Sequence, residues 1–281
     1  MTTTSDTMTG SQLLARSLKQ QGADYMFGVV GFPVSQLASD AQKAGITYIG
    51  MRNEQSASYA AQAAGYLTGR PQSCIVVSGP GVVHGLSGMA NAQSNRWPMI
   101  LLGGASATDQ NGMGAFQEER QVLMATQFAK YAHQIESTRR IPFYVEQAVK
   151  HALHGIPGAT YLDLPDDVLA NEIPLSEALD APTVPEPSRT MVAPENIEAT
   201  LAALKTAENP LVIVGKGMAW ARAENEVREF IEKTQLPFLP TPMGKGVVPD
   251  DHPLSVSPAR TQALQGADVI VLLGARLNWI L

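Results

Sequence analysis

Short apolar runs alternate with longer stretches of helical periodicity through the first part of the chain. The runs have strand length and are rich in branched residues, whereas the stretches between them repeat apolar residues every three to four positions. This alternation is typical of a parallel sheet with helices on both faces, so the fold class is α/β. We predict strands at Tyr25–Val30, Ile46–Gly50, Cys74–Ser78, Pro98–Gly104 and Ala159–Leu164.

The pattern changes beyond Leu164. Residues 181–188 carry three prolines and indicate an extended linker, and Pro194 suits the first turn of a helix. LVIVGKG at 211–217 then predicts a strand, a Gly-bearing turn and a helix, and DVIVLLGARL at 268–277 predicts another buried strand. We therefore predict a first domain over 1–180, a linker over 181–193 and a second α/β unit over 194–281. That unit offers fewer strands than the about four to six of most open sheets, so we expect further protein beyond residue 281.

Composition excludes several classes of protein. The 281 residues are 44% hydrophobic and 16% charged, which suits a globular protein of two domains. A net charge of -6 leaves no basic surface for nucleic acid or an anionic membrane. The single Cys74 excludes an intrachain disulfide and fits a reducing compartment. Without a signal-like N-terminus or an apolar run of membrane-spanning length, we expect a cytoplasmic protein.

Four segments contain residues suited to catalysis or ligand binding. They fall at or near the ends of predicted strands, where the sites of open parallel sheets are usually found. Glu54, which follows the strand ITYIG, opens an alanine-rich stretch of helical character. Its position alone favours a first-turn acid stabilised by the helix dipole. The four segments are GFPVSQ at 31–36, GMRNEQ at 50–55, SGPGVVHG at 78–85 and GAFQEE at 114–119.

The other segments are individually weak signals. The two glycines of SGPG permit close backbone approach, but the same residues suit a tight turn, and the spacing of a dinucleotide fingerprint is absent. His84 could contact a ligand or serve as a hydrogen-bonded structural residue. GAFQEE could equally be a surface loop with one buried Phe.

Taken together and in order, these segments resemble one family. GMRNEQSASYAAQAAGYLTGRP, VVSGPGVVHGLSGMANAQ, WPMILLGGAS, MGAFQEERQV, RIPFYVEQAVKHAL and GATYLDLP are similar to the N-terminal half of 2-hydroxyacyl-CoA lyases and oxalyl-CoA decarboxylases. The similarity continues through VIVGKG into the second domain. Members of this family are thiamine diphosphate enzymes with three α/β domains, which bind the aminopyrimidine ring, help to hold coenzyme A, and bind the diphosphate through Mg²⁺.

The resemblance therefore implies a parallel-sheet pyrimidine-binding domain followed by the start of a Rossmann-like middle domain. No acidic-Gly-acidic segment with a downstream Asn is present, so the Mg²⁺ ligands are expected outside this chain. Glu54 matches the family's activating glutamate, which hydrogen-bonds a pyrimidine nitrogen, and Gln117 is the second catalytic candidate. Cofactor contacts are expected from Gly31, Pro33, Gly79, Pro80, Gly81 and His84, and substrate contacts from Phe32, Phe116, Gln117 and Lys216.

Two departures favour the lyase branch. Oxalyl-CoA decarboxylases typically carry Tyr-Glu where this chain has Phe116-Gln117, and an Arg where it has Ile156. The expected reaction is cleavage of a 2-hydroxyacyl-CoA to formyl-CoA and an aldehyde or ketone. Phe32 replaces a smaller aliphatic residue, which makes the branched 2-hydroxyisobutyryl-CoA, yielding acetone, a candidate substrate. Lys216 matches a nucleotide-contacting lysine, although a solvated turn lysine would fit equally well.

Three alternatives remain open at this point. The first is oxalyl-CoA decarboxylase, and the second is acetohydroxyacid synthase, whose members share the AFQE run and often hold flavin. The third is a non-catalytic partner chain of the same fold. In the family the cofactor lies between two subunits, so the resemblance implies a homodimer or homotetramer, completed by a C-terminal diphosphate-binding part of the same enzyme.

Overall fold

A computed structural model describes residues 7–279 and 281. The chain divides into two compact units, Met1–Ser188 and Arg189–Leu281. Residues 1–6 of the predicted first domain and Ile280 of the second lie outside the described residues.

The first unit is built on parallel strands joined by helices. Its helices are α1 (Gly10–Gln20), α2 (Ser35–Lys43), α3 (Glu54–Thr68), α4 (Pro80–Asn95), α5 (Gln121–Ala125), α6 (Ile141–Leu153) and α7 (Asp166–Ala170). Its strands are β1 (Thr7–Thr9), β2 (Tyr25–Gly28), β3 (Thr47–Gly50), β4 (Gln72–Val76), β5 (Met99–Ala105), β6 (Tyr131–Gln134), β7 (Ala159–Pro165) and β8 (Glu172–Pro174).

Six of these strands form one parallel sheet in the order β3-β2-β4-β5-β7-β6, while β1 and β8 pair antiparallel beside it. Alternate residues of a strand point to opposite faces. Ile75 accordingly joins the core under α1, α2 and α6, whereas Cys74 and Val76 join the core under α3, α4 and α5. Both faces are covered, which confirms the predicted parallel sheet with helices on each side.

The alanine-rich helix α3 packs unusually close to its neighbours. A Cβ placed on Gly88 of α4 would lie 2.0 Å from the Oγ of Ser58, and one placed on Gly65 would lie 1.9 Å from the carbonyl oxygen of Pro98. Small residues at these contacts are therefore required by the distance between the backbones. This packing fixes the position of Glu54, the first residue of α3.

The second unit holds a three-stranded parallel sheet in the order β10-β9-β11. Its core includes Val212, Val214, Val227, Ile231 and Phe238. Among the described residues, none of the helices in either unit is both long and apolar enough to cross a membrane. The elements are α8 (Pro194–Thr206), β9 (Pro210–Val214), α9 (Lys216–Trp220), α10 (Glu224–Thr234), β10 (Phe238–Pro240), α11 (Arg260–Gly266) and β11 (Val269–Leu273).

Observed and predicted elements differ mainly at their ends. The strand predicted at Cys74–Ser78 runs instead over Gln72–Val76, because the chain beyond it turns into the N-terminus of α4. The four-residue edge strand β6 and the three-residue strand β10 are absent from the predictions, since neither forms a long apolar run. These differences leave the sheet edge that carries the predicted residues unchanged.

Candidate functional site

The candidate site lies at the carboxyl edge, defined as the edge formed by the carboxyl ends of β2, β3, β4, β5 and β7. Because these strands are parallel, the chain leaves all of them on the same side of the sheet. The loop after β2 carries Gly31–Pro33, α3 follows β3 with Glu54, and α4 follows β4 with Gly79 at its start. The long loop after β5 carries Phe116 and Gln117.

Glu54, the first residue of α3, forms a pair with His84 in the second turn of α4. The side chain of Asn53 caps α3 by accepting a hydrogen bond from the amide of Ser56 at 3.0 Å. Oε2 of Glu54 lies 3.1 Å from Nδ1 of His84, and the two side chains are 17% and 58% exposed. A carboxylate accepts several hydrogen bonds, so contact with one imidazole leaves capacity for a ligand donor. The helix dipole adds a favourable environment for the anion.

The Gly-Pro-Gly segment is the start of α4 rather than a free turn. Pro80 is the first helical residue, where its missing N–H costs no hydrogen bond. Gly79 precedes it with φ +57°, and a Cβ there would lie 2.8 Å from the carbonyl oxygen of Gln117. A Cβ on Gly81 would meet Val77 at 2.7 Å. Glycine is therefore required where the loop carrying Gln117 crosses the helix start.

The loop after β2 brings an aromatic ring to the same edge. The Phe32–Pro33 peptide bond is cis, and the Phe32 side chain is exposed. Pro33 lies against Gly104, since a Cβ on Gly104 would be 2.6 Å from the Cδ of Pro33. A Cβ on Gly31 would similarly be 2.9 Å from Val77. Close packing on the sheet thus holds the backbone while leaving the Phe32 ring free to contact a ligand.

The loop carrying Phe116 and Gln117 is folded around one carboxylate. Glu118 accepts hydrogen bonds from the backbone amides of Gly112, Gly114 and Ala115, and these lower the pKa of Glu118. Phe116 points outward and is exposed. Gln117 has a positive φ, and its Oε1 lies 3.5 Å from the hydroxyl of Ser78. The loop therefore places Gln117 beside the start of α4.

Two buried polar side chains at the site, Gln121 and Asp163, were not identified from the sequence. They meet beneath the site, where Nε2 of Gln121 donates to Oδ1 of Asp163 at 2.6 Å, and the hydroxyl of Tyr161 donates to the same oxygen. Burial raises the pKa of the Asp163 carboxyl. With Ser78 and Gln117 they line a small polar cavity of about 50 Å³. A lone acid inside the apolar run ATYLDLP was the available signal, because buried acids require partners.

Lys216 belongs to the second unit, where it is the first residue of α9 and is partly buried. A Cβ on the preceding Gly215 would lie 2.3 Å from the carbonyl oxygen of Gly274, so β9 and β11 end in close contact. Within the described part of the chain, no three His, Cys, Asp or Glu side chains gather in a group that could hold a metal ion.

Comparison with known proteins identifies both units. Residues 8–125 match the family described as thiamine pyrophosphate enzyme, N-terminal TPP binding domain, and residues 197–281 match thiamine pyrophosphate enzyme, central domain. Thiamine pyrophosphate is another name for thiamine diphosphate. The first match includes every predicted site residue except Lys216, which lies in the second.

Similar proteins carry related names. The chain is 50% identical over 274 residues to 2-hydroxyacyl-CoA lyase 1 of Mus musculus, covering 98% of this chain and 47% of that protein. It is 43% identical over 276 residues to oxalyl-CoA decarboxylase of Escherichia coli K12, covering 97% and 49%. With 2-hydroxyacyl-CoA lyase of Saccharomyces cerevisiae it shares 39% identity over 281 residues, covering 98% and 50%.

The chain thus spans about half the length of the curated relatives it matches. Its two matched regions follow each other in the order N-terminal domain, then central domain. The parallel sheet with Glu54 at its carboxyl edge lies in the first of them. The chain belongs to the thiamine pyrophosphate enzymes, of which it carries the N-terminal TPP binding domain and the central domain.

Proposed function

We propose that the chain is the pyrimidine-binding and central part of a 2-hydroxyacyl-CoA lyase, which cleaves a 2-hydroxyacyl-CoA to formyl-CoA and an aldehyde or ketone. The observation that carries the proposal is Glu54, held 3.1 Å from His84 at the carboxyl edge and still open to solvent on one side. Support also comes from relatives named 2-hydroxyacyl-CoA lyase, at 39–50% identity.

The residues at this edge fit a flat, nitrogen-bearing ring. Glu54 offers a carboxylate at a helix start for a ring nitrogen, and His84 holds that carboxylate in place. Glycines at 31 and 79 keep side chains away from the surface beside it. Thiamine diphosphate, when bound, supplies the electron sink that such a carbon–carbon cleavage needs. The role of Glu54 is to share a proton with the ring nitrogen and so set its protonation state.

Substrate selection falls to the loops on either side. Gln117 offers a neutral amide, which suits an uncharged carbonyl product better than the second carboxylate of an oxalyl group. The exposed rings of Phe32 and Phe116 supply apolar surface around the departing carbonyl compound. A branched substrate such as 2-hydroxyisobutyryl-CoA, releasing acetone, is the specific form of this proposal. In the second unit, Lys216 is assigned to a phosphate of coenzyme A.

The remaining parts of the enzyme are also proposals. A C-terminal half, corresponding to the remaining length of the relatives, would hold the diphosphate through Mg²⁺. A homodimer or homotetramer would complete the site, because each cofactor then lies between two subunits. We further propose a cytoplasmic enzyme that acts on acyl-CoA without nucleic acid or membrane partners.

The test supplies the full-length protein with thiamine diphosphate, Mg²⁺ and three sets of substrates. These are 2-hydroxyacyl-CoA esters including 2-hydroxyisobutyryl-CoA, oxalyl-CoA, and pairs of 2-keto acids, with formyl-CoA followed by mass spectrometry. Formyl-CoA together with an aldehyde or ketone is the expected result. Release of CO₂ from oxalyl-CoA alone would identify a decarboxylase instead, and condensation of keto acids with bound flavin an acetohydroxyacid synthase.

The decarboxylase is the second candidate, and the 43% identity to oxalyl-CoA decarboxylase of Escherichia coli favours it. The two substrates differ in the charge of the group to be cleaved, a carboxylate in oxalyl-CoA and a neutral hydroxyl-bearing carbon in a 2-hydroxyacyl-CoA, so Gln117 discriminates between them. Turnover with none of the three substrate sets would favour the non-catalytic partner chain.

A further inference from the structure

Gln121, the first residue of α5, is buried beneath the carboxyl edge and uses both ends of its amide. Its Oε1 accepts the backbone N–H of Gly79, which precedes α4. Its Nε2 donates to the carbonyl oxygen of Gly104 at 2.9 Å and to Oδ1 of Asp163 at 2.6 Å. One side chain therefore joins the start of α4 to the end of β5 and to β7.

Asp163 anchors the other end of this contact. Besides Gln121, it accepts hydrogen bonds from the hydroxyl of Tyr161 and, on Oδ2, from Nε2 of Gln134 at 3.0 Å. Its side chain is 4% exposed, so these protein donors replace water around the carboxyl group. Since Gln134 lies on the edge strand β6, the network spans the last three strands of the sheet.

The contact between Gly79 and Gln117 connects the network to the loop that carries Gln117. Gly79 has no room for a side chain because the Gln117 carbonyl lies against it, so moving Gly79 moves Gln117. Gly104, which Gln121 also contacts, packs against Pro33. Three segments assigned to cofactor or substrate thus share Gln121 as their common support.

We propose that Gln121 is a positioning residue, which through Asp163 holds the Gly79 helix start and the Gln117 loop in the geometry that binds cofactor and substrate. This inference rests on the proposed function for what the segments bind. Gln121 itself is buried below Gly79, so the role assigned to it is to support these segments rather than to bind a ligand. The hydrogen bonds to backbone at Gly79 and Gly104 distinguish this role from simple packing, since an apolar side chain of equal size would fill the space without making them.

The first experiment replaces Gln121 by methionine, which keeps the length and removes every hydrogen bond, in the full-length protein. The exposed Gln127, six residues along the same segment, gives the matched control Gln127→Met. Exchange of the Gly79 amide hydrogen is measured by mass spectrometry, and thiamine diphosphate affinity by titration. The Gly79 amide is well isolated because Pro80 has none. We expect exchange at least about tenfold faster and cofactor affinity about tenfold weaker in Gln121→Met only.

A second variant keeps the inference testable if Gln121→Met fails to fold. Gln121→Glu retains an oxygen for the Gly79 amide but sets a carboxyl against Asp163, and two adjacent carboxyl groups share one proton. The other titratable groups near this position are Tyr161 on β7 and Glu118 and Glu119 in the loop. Turnover relative to wild type should therefore be highest at acid pH and fall as the shared proton is lost.

Two results would overturn the inference. One is wild-type exchange at Gly79 and wild-type cofactor affinity in a folded Gln121→Met protein. The other is a Gln121→Glu activity ratio that does not change with pH. Amide exchange and cofactor affinity need no acyl-CoA, so an enzyme that binds cofactor but releases no formyl-CoA would refute the proposed function and leave this inference standing.

Discussion

Two carboxyl groups lie at the carboxyl edge of the same sheet, and their surroundings are opposite. Glu54 opens a helix, contacts one imidazole at 3.1 Å and is 17% exposed. Asp163 lies on β7, is buried, and accepts three hydrogen bonds from protein donors. A carboxylate with one partner can still bind a ligand, whereas one whose partners are all protein groups holds the structure together.

The two carboxyl groups represent two kinds of residue in one site, those that act on a ligand and those that hold the site in place. Residues that act on a ligand should be dispensable for folding, and those that support the site should not be. Replacing Glu54 removes one contact with a half-exposed histidine, whereas replacing Asp163 removes the acceptor shared by Tyr161, Gln121 and Gln134. The two classes of variant should therefore fail in different assays.

Glu54→Gln should give the largest effect on activity. The amide keeps the size of the side chain but cannot share a proton with the pyrimidine nitrogen, so turnover should fall about 10²–10⁴-fold. The free energy of unfolding should change by less than about 1 kcal/mol, because the side chain is partly exposed. Steady-state kinetics of the full-length enzyme and urea unfolding check both parts. Wild-type turnover in this variant would remove Glu54 from the chemistry.

Asp163→Leu should give the largest effect on stability. The variant loses the acceptor that the side chains of Tyr161, Gln121 and Gln134 share, which we expect to destabilise the fold by about 2–5 kcal/mol. Urea unfolding of this variant beside Glu54→Gln provides the contrast. Equal stability of the two variants would show that the network contributes no more to folding than the surface pair does.

The place of Glu54 in the fold was easier to predict from the sequence than that of Asp163. Glu54 stands at the junction of an apolar strand and an alanine-rich helix, and both elements leave strong periodic signals. Gln121 and Asp163 act through contacts 42 residues apart in sequence, which no local pattern encodes. The pairing of His84 with Glu54 was likewise beyond reach, because it depends on how α3 packs against α4.

The strands of the first unit also differed in how well the sequence predicted them. Long buried strands such as β5 and β7 were recognisable because both are buried runs of seven mainly apolar residues. The edge strand β6, with the sequence YAHQ, carries no such run and exists because it pairs with β7. Pairing with a neighbour is a tertiary effect, and propensity cannot anticipate it.

Gln117→Glu tests the loop between the two carboxyl groups. A charge beside the helix start should impair the release of an uncharged carbonyl product, lowering kcat/KM for 2-hydroxyacyl-CoA about tenfold or about 1.4 kcal/mol. Stability should change little, because the loop is exposed on one side. Unchanged kinetics would exclude Gln117 from the substrate site, whereas a gain with oxalyl-CoA would strengthen its assignment to specificity.

The pH dependence of stability should be the smallest of these effects, but its direction is well defined. Burial raises the pKa of Asp163 in the folded protein, so the folded state keeps this proton at pH values where the unfolded chain has lost it. Stability from this group is then complete below about pH 4, the ordinary aspartate pKa, and declines as the pH rises through the folded value. In Asp163→Asn the group cannot titrate. The free energy of unfolding of the wild type should therefore fall relative to that of Asp163→Asn as pH rises from about 3 to 7. Urea unfolding of both proteins at each pH measures this change. A shift in the opposite direction would mean that the three donors outweigh burial and lower the pKa of Asp163, which would make it a fixed negative charge beneath Gln121.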